Sequence, residues 1–151
     1  MTTQQKDKIL VSIQFLLLGI YLIPVKAFTI PLPAWLSITG FWIGLTGCIP
    51  IVMAMIALNV NLSPFPTPKK SARLIQHGIF KFVRHPIYSG ILLFCFGFSL
   101  YQANLFQWLV SFLLLTLFIY KAKYEEGLLQ KKFNEYATYK KKTGMFLPRF
   151  T

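Results

Sequence analysis

Residues 84–120 read RHPIYSGILLFCFGFSLYQANLFQWLVSFLLLTLFIY, and this stretch decides the fold. Two apolar segments, 87–101 and 105–120, are separated only by Gln102, Ala103 and Asn104. Three residues suffice for a turn, so the pair predicts a tight antiparallel helical hairpin. The first segment is short for a ~30 Å hydrocarbon core at about 1.5 Å per residue. At its start, Arg84 and His85 stand directly before Pro86, a residue suited to the first turn of a helix. A cation and an imidazole at a membrane boundary are costly to keep without a purpose.

Two further apolar segments precede the hairpin. One runs from about 9 to 23 and continues past Pro24 to 28; the other runs from 34 to 60. The 151 residues are 55% hydrophobic and 13% charged, with a mean hydropathy of +0.55. A soluble domain carries about 25% charged residues. The composition therefore predicts an all-α integral membrane protein, a single domain over 1–151 with about four transmembrane helices. Sixteen basic and four acidic residues leave a net charge of +12. In a four-span chain, Lys6, Lys8, the cations from Lys69 to Arg84 and those from Lys121 to Arg149 fall on one side, and Lys26 alone on the other. That bias puts both termini, the 61–86 loop and the 121–151 segment in the cytoplasm. Cations flanking apolar spans fit anionic lipid headgroups, and nucleic acid is not expected as a partner. A cleaved signal peptide competes for the first segment, because Val25-Lys26-Ala27 follows a modest apolar core.

Gly40, Gly44 and Gly47 predict close helix packing within the molecule, and Pro50 predicts a kink. Gln14, Thr46, Gln107, Ser111 and Thr116 are single polar residues that bond neighbouring helices or backbone, or line a pocket. Cys48 and Cys95 read as small apolar packing residues. With only these cysteines and two histidines, His77 and His85, no metal is expected. In the long loop, Ser63-Pro64-Phe65-Pro66-Thr67-Pro68 cannot be helical. Ser71 reads as the cap of a short helix ending near Gly78. The last helix should continue to about Phe133, and 136–151 reads as a basic, amphipathic, cytosolic tail at the interface.

The polar clusters carry the chemistry. A helix starting at Pro86 presents free N–H groups and a positive dipole end to the loop. Arg84 and His85 add donors there, Tyr88 adds a hydroxyl one turn in, and Gly90 leaves room for close approach. Such a set suits an anion, for example a carboxylate. Glu125 and Glu126 are adjacent on the continuing helix and point in different directions. The hairpin returns them to the face that carries Arg84. One of them pairs with Arg84 or binds a cationic ligand group, or the two form a solvated pair offset by nearby lysines; spacing leaves these open. An anion site beside carboxylates fits a zwitterion. There is no glycine-rich phosphate loop and no Ser-His-Asp set, which weighs against nucleotide-phosphate and hydrolase chemistry.

Arg84-His85-Pro86-Ile87-Tyr88-Ser89-Gly90 resembles the RHPxYxG motif of the isoprenylcysteine carboxyl methyltransferase family and its phospholipid methyltransferase relatives. Glu125-Glu126-Gly127-Leu128-Leu129 resembles their EExxL motif. Phe133, Glu135-Tyr136 and Tyr139 are similar to the FGxxYxxY stretch that comes next in that family, with Asn134 at the glycine and one residue fewer before Tyr136. The resemblance runs from about 61 to 148. It implies a small membrane methyltransferase of the bacterial inner membrane that uses S-adenosylmethionine. It also implies a cofactor held among the C-terminal elements near the cytosolic face, and a lipophilic or lipid substrate entering from the bilayer. His85, Pro86, Tyr88, Gly90, Glu125 and Leu129 become candidates for the cofactor pocket. Arg84 and Glu126 become candidate catalytic residues beside the methyl acceptor, and the zwitterion becomes the methionine part of the cofactor. The implied acceptor is the carboxylate of an isoprenylated thiol or similar. A phospholipid amine is the alternative. An NADPH-dependent membrane reductase ranks lower, because Ser89-Gly90-Ile91-Leu92 lacks the acidic residue that similar sterol reductases carry there.

Overall fold

Asn104 fixes the turn on which the bundle is built. Its side chain accepts from Gln107 N–H at 3.2 Å, capping the next helix, while its own N–H bonds Ser99 O at 3.1 Å. Ala103 takes a left-handed conformation (φ 51°) to close the reversal. The computed structural model describes residues 2–23, 25–59, 62–69 and 72–149. Its helices are α1 (Thr3–Tyr21), α2 (Ala34–Thr46), α3 (Cys48–Leu58), α4 (Pro86–Tyr101), α5 (Leu105–Lys132) and α6 (Tyr136–Lys142). Among the described residues no β-strand forms, only two isolated bridges. The α4–α5 hairpin is the one the sequence predicts, and α5 runs to Lys132, close to the expected Phe133.

The first two segments differ in detail from expectation. The first helix ends at Tyr21 and gives way to a separate 3-10 turn, Lys26–Phe28, rather than continuing to 28. The second breaks at Gly47 into α2 and α3. Pro50 has no N–H to offer Thr46 O, so the break falls one turn before the proline. Residues 72–76 are not helical, and the short turn in this region is Gly78–Lys81, which starts on a left-handed Gly78 (φ 60°). A helix of so few residues does not form on its own, and Leu74 and Ile75 are used instead to line a cavity. Pro24, Val60, Asn61 and the proposed cap Ser71 lie outside the described residues.

Helix α4 is central, packing on α2, α3 and α5, while α1 packs on α5. Close approach of α4 to α2 and α3 rests on glycine. A Cβ on Gly97 would stand 2.3 Å from Gly44 N, and one on Gly90 would stand 2.4 Å from Gly47 O. The small-residue stripe therefore serves internal packing, as predicted. Tyr21, Leu92, Cys95, Val110, Leu114 and Phe118 form the apolar core. Beside it Tyr21 Oη donates to Cys95 O at 2.7 Å and lies 3.2 Å from Ser99 Oγ, which lies 3.2 Å from Ser111 Oγ. Trp35, Ile38, Trp42, Ile49 and Ile56 face outward, as a lipid-exposed surface would. By length and composition two helices can cross a membrane, Ala34–Leu58 and Leu105–Lys132, and Pro86–Tyr101 is a shorter apolar helix.

The two ends of the bundle differ in charge. At one end Lys6 Nζ lies 4.1 Å from the Tyr124 ring, and Asp7 Oδ2 accepts from Thr67 N–H at 3.2 Å. Arg84 and Lys140 meet Glu126 at the same end. At the other, Asn104 Nδ2 donates to Val25 O at 2.9 Å, next to Lys26. In detergent, Gly97→Ala should lower the thermal midpoint, since overpacking costs about 1–3 kcal/mol. Gly19→Ala, where an added Cβ meets nothing within 4 Å, should leave it unchanged or raise it.

Candidate functional site

The residue before a proline is pushed out of the helical region, so the N–H groups of Arg84 and His85 need partners outside α4. The C-terminal segment supplies them. Arg84 N–H donates to Gly144 O at 2.9 Å, His85 N–H to Met145 O at 3.1 Å, and Gly144 N–H returns to Phe82 O at 3.0 Å. Ser89 Oγ donates to Phe146 O at 2.7 Å. Residues 143–149 are thus docked on the motif by backbone bonds. The docking has a simple cause: buried backbone groups must be paired, and the motif's own helix cannot pair these two.

Arg84 gathers the site's scaffold. Its Nε donates to Glu126 Oε1 at 2.7 Å, and its Nη1 donates to Lys140 O at 3.0 Å and to Thr143 O. Lys140 Nζ stands 2.7 Å from Glu126 Oε2, and His85 Nε2 stands 3.4 Å from Glu126 Oε1. The Glu126 side chain is 2% exposed and Arg84 7%. Of the alternatives left open by spacing, the Arg84 pairing is the one found, and Glu126 is the partner.

Glu125 points elsewhere. Its side chain is 27% exposed, and Oε2 accepts from Tyr88 Oη at 3.1 Å with His85 Nδ1 at 3.8 Å. The Tyr88 ring is held between His85 (5.4 Å between centroids, 3° between planes) and Phe118 (4.7 Å, 9°). Below it, fully buried Lys121 donates to Gln14 Oε1 at 2.5 Å and to Pro64 O at 2.9 Å. On α6, Tyr139 Oη donates to Phe80 O at 2.7 Å. Burial pushes the Tyr139 phenol up to about 12 against the pull of the Arg84 cation, so it stays a neutral donor.

Two cavities meet at this cluster. A larger one, about 550 Å³, is walled mainly by Phe15, Met55, Leu58, Leu62, Ile87 and Tyr88, with Lys121 and Gln14. A smaller one, about 120 Å³, is walled by the 65–69 loop, Leu129, Phe133, Tyr136 and Tyr139. Leu58, Ser63, Phe80, Arg84 and Glu125 belong to both.

Arg84, His85, Pro86, Tyr88, Glu125 and Leu129 are therefore brought together around cavity space, and Glu126 lies behind them. Gly90 is not: the room it leaves is filled by Gly47 O and Ile51, so its small size serves helix packing. Sequence reasoning missed Lys121 and Asp7 as contributors, whereas Gln14, expected to bond a neighbouring helix or line a pocket, does both. Lys121 lies four residues before Glu125, on the same helix face. Asp7, Leu10, Gln14 and Tyr21 recur at helical spacing and are all buried. Among the described residues no group of His, Cys, Asp and Glu could hold a metal.

A family model described as phospholipid methyltransferase matches residues 34–136, about two thirds of the chain. No curated protein matches the chain.

Arg84→Met and Glu126→Gln each strand a buried charge or its hydrogen bonds and should destabilise by about 3–5 kcal/mol. The double variant should lose less than the sum of the two, with a coupling of about 0.5–3 kcal/mol, read from denaturation in detergent. Lys140, 46% exposed, should matter far less; Lys140→Ala should cost no more than about 1 kcal/mol.

Proposed function

Because the chain belongs to the phospholipid methyltransferase family, and so is a methyltransferase, we propose that it moves a methyl group from S-adenosylmethionine to the carboxylate of a lipophilic acceptor, such as an isoprenylated thiol. The reading places the site at the cytosolic face of a four-span bundle with both termini in the cytoplasm, in a bacterial inner membrane; the collection of nearly all cations at one end supports that orientation.

One observation carries the assignment: Glu125 lines both cavities with a partly exposed side chain, while Glu126 beside it is closed off by Arg84, His85 and Lys140. A cavity-lining carboxylate next to a phenol hydroxyl is a suitable donor set for the cationic end of S-adenosylmethionine, so the residues present fit the cofactor. Glu125, Tyr88 and His85 would hold it, with Leu129 and Phe133 as apolar walls of the smaller cavity. When bound, S-adenosylmethionine supplies a methyl group already activated as a sulfonium. The chain must then align the acceptor and keep water away. The apolar walls of the larger cavity suit a lipid body, with Phe15, Met55 and Leu62 at its exposed rim.

The choice of a carboxylate over an amine rests on the charges. A carboxylate needs no base to accept a methyl group. An amine must lose a proton, and Glu126 is saturated by cations and cannot take it. The buried Lys121 ammonium at the wall of the larger cavity also disfavours a second cation there. Arg84 and Glu126 act on this reading as positioning residues: they set the depth of α4 and the register of the C-terminal segment.

Incubating the protein with methyl-labelled S-adenosylmethionine and a lipid extract tests the proposal. A label released as volatile methanol by mild base is expected, because a methyl ester hydrolyses and an N-methyl group does not. Base-stable label would turn the assignment to a phospholipid amine, and no label would count against methyl transfer. Glu125→Gln should weaken S-adenosylhomocysteine binding roughly tenfold or more in calorimetry, the worth of a hydrogen bond to a charged group.

A further inference from the structure

Tyr136 opens α6, with its N–H bonded to Phe133 O at 3.1 Å and its ring 5.8 Å from that of Tyr139. The residue is 1% exposed. Its hydroxyl is buried and, among the described residues, has no hydrogen-bond partner. Unpaired buried hydroxyls are rare and costly, and each one needs a reason. The reason is not a packing network: Tyr139, one turn along, satisfies its own hydroxyl on Phe80 O. Tyr136 also lines the smaller cavity, together with Arg84 and Glu125. Burial and the nearby Glu126 carboxylate push its phenol up, which keeps it a neutral donor.

We infer that the Tyr136 hydroxyl is a ligand-binding donor reserved for the carboxylate at the amino-acid end of the methyl donor. This rests on the proposed function. It adds the partner that the zwitterion's negative end requires, because the cluster's two carboxylates can serve only its positive end. The guanidinium of Arg84 gives the spot a positive potential, but its Nε and Nη1 are already committed to Glu126, Lys140 O and Thr143. A neutral hydroxyl beside a guanidinium whose Nε and Nη1 are occupied is an anion-binding pair to which the hydroxyl adds a donor of its own.

The test compares two ligands and two tyrosines in detergent. S-adenosylhomocysteine carries the amino-acid end, and 5′-methylthioadenosine lacks it. Tyr136→Phe should weaken S-adenosylhomocysteine roughly ten- to hundredfold, leave 5′-methylthioadenosine unchanged, and leave the thermal midpoint of the ligand-free protein unchanged or higher. Tyr139→Phe should lower that midpoint, because it strands Phe80 O. Unaltered S-adenosylhomocysteine affinity in Tyr136→Phe, equal losses for both ligands, or a fall in its ligand-free midpoint like that of Tyr139→Phe would overturn the inference while leaving the proposed function in place. Failure of the wild-type protein to bind S-adenosylhomocysteine would overturn both.

Discussion

The Arg84–Glu126 pair is the contact on which the arrangement depends. One side chain, at the start of a short helix, reaches α5 through Glu126 and the end of α6 through the carbonyls of Lys140 and Thr143. A lysine could supply the charge but not these bonds in one plane, because only a guanidinium presents several donors in a fixed fork. Burying the pair costs desolvation that the Coulomb attraction alone does not reliably recover. Here Arg84 Nη1 finds the carbonyls of Lys140 and Thr143 and Lys140 Nζ stands 2.7 Å from Glu126 Oε2, and the return is geometric: α4, α5 and α6 are fixed relative to one another at one point.

That fixed point resolves a difficulty created by Pro86. Proline starts the helix cleanly but leaves Arg84 and His85 with extended backbone and N–H groups facing nothing in α4. The C-terminal strand-like segment supplies Gly144 O and Met145 O for them, and the Arg84 side chain holds that segment in place. The motif and the C-terminal segment are therefore mutually dependent. Neither is ordered by its own local bonds, and the imidazole of His85 is held against both glutamates only when the two are docked.

The hairpin was legible because three residues between two apolar segments leave the chain one option, and Asn104 is the right residue to cap the second helix. The meeting of Arg84 with one of the two glutamates is a consequence of that topology, but which glutamate is not: adjacent residues on a helix diverge by about 100°, and the bundle's rotation about α5 decides. Gly90 misled for a related reason. A missing side chain makes room equally for a ligand or for a neighbouring helix, and its neighbour is Gly47. The role of α1 was hidden because from Ile9 onward the helix is apolar on most sides. Its inward face carries Leu10 and Tyr21, but what distinguishes it in the sequence is the polar pair Asp7 and Gln14.

The proline-rich loop shows how α1 enters the site although it precedes the matched region. Prolines 64, 66 and 68 remove three backbone donors, so the loop cannot close on itself through a ladder of its own bonds. It is shaped by what grips it. Asp7 of α1 holds Thr67 N–H, Lys121 of α5 holds Pro64 O, and Lys132 holds Lys69 O. Lys121 is in turn held by Gln14 of α1. The roof of both cavities is therefore suspended from two helices by charged side chains. The height of the larger cavity is set by residues of α1 as much as by the motifs on α4 and α5. The two motifs bring Arg84, His85, Tyr88 and the two glutamates together, and the first helix decides how much space stands above them.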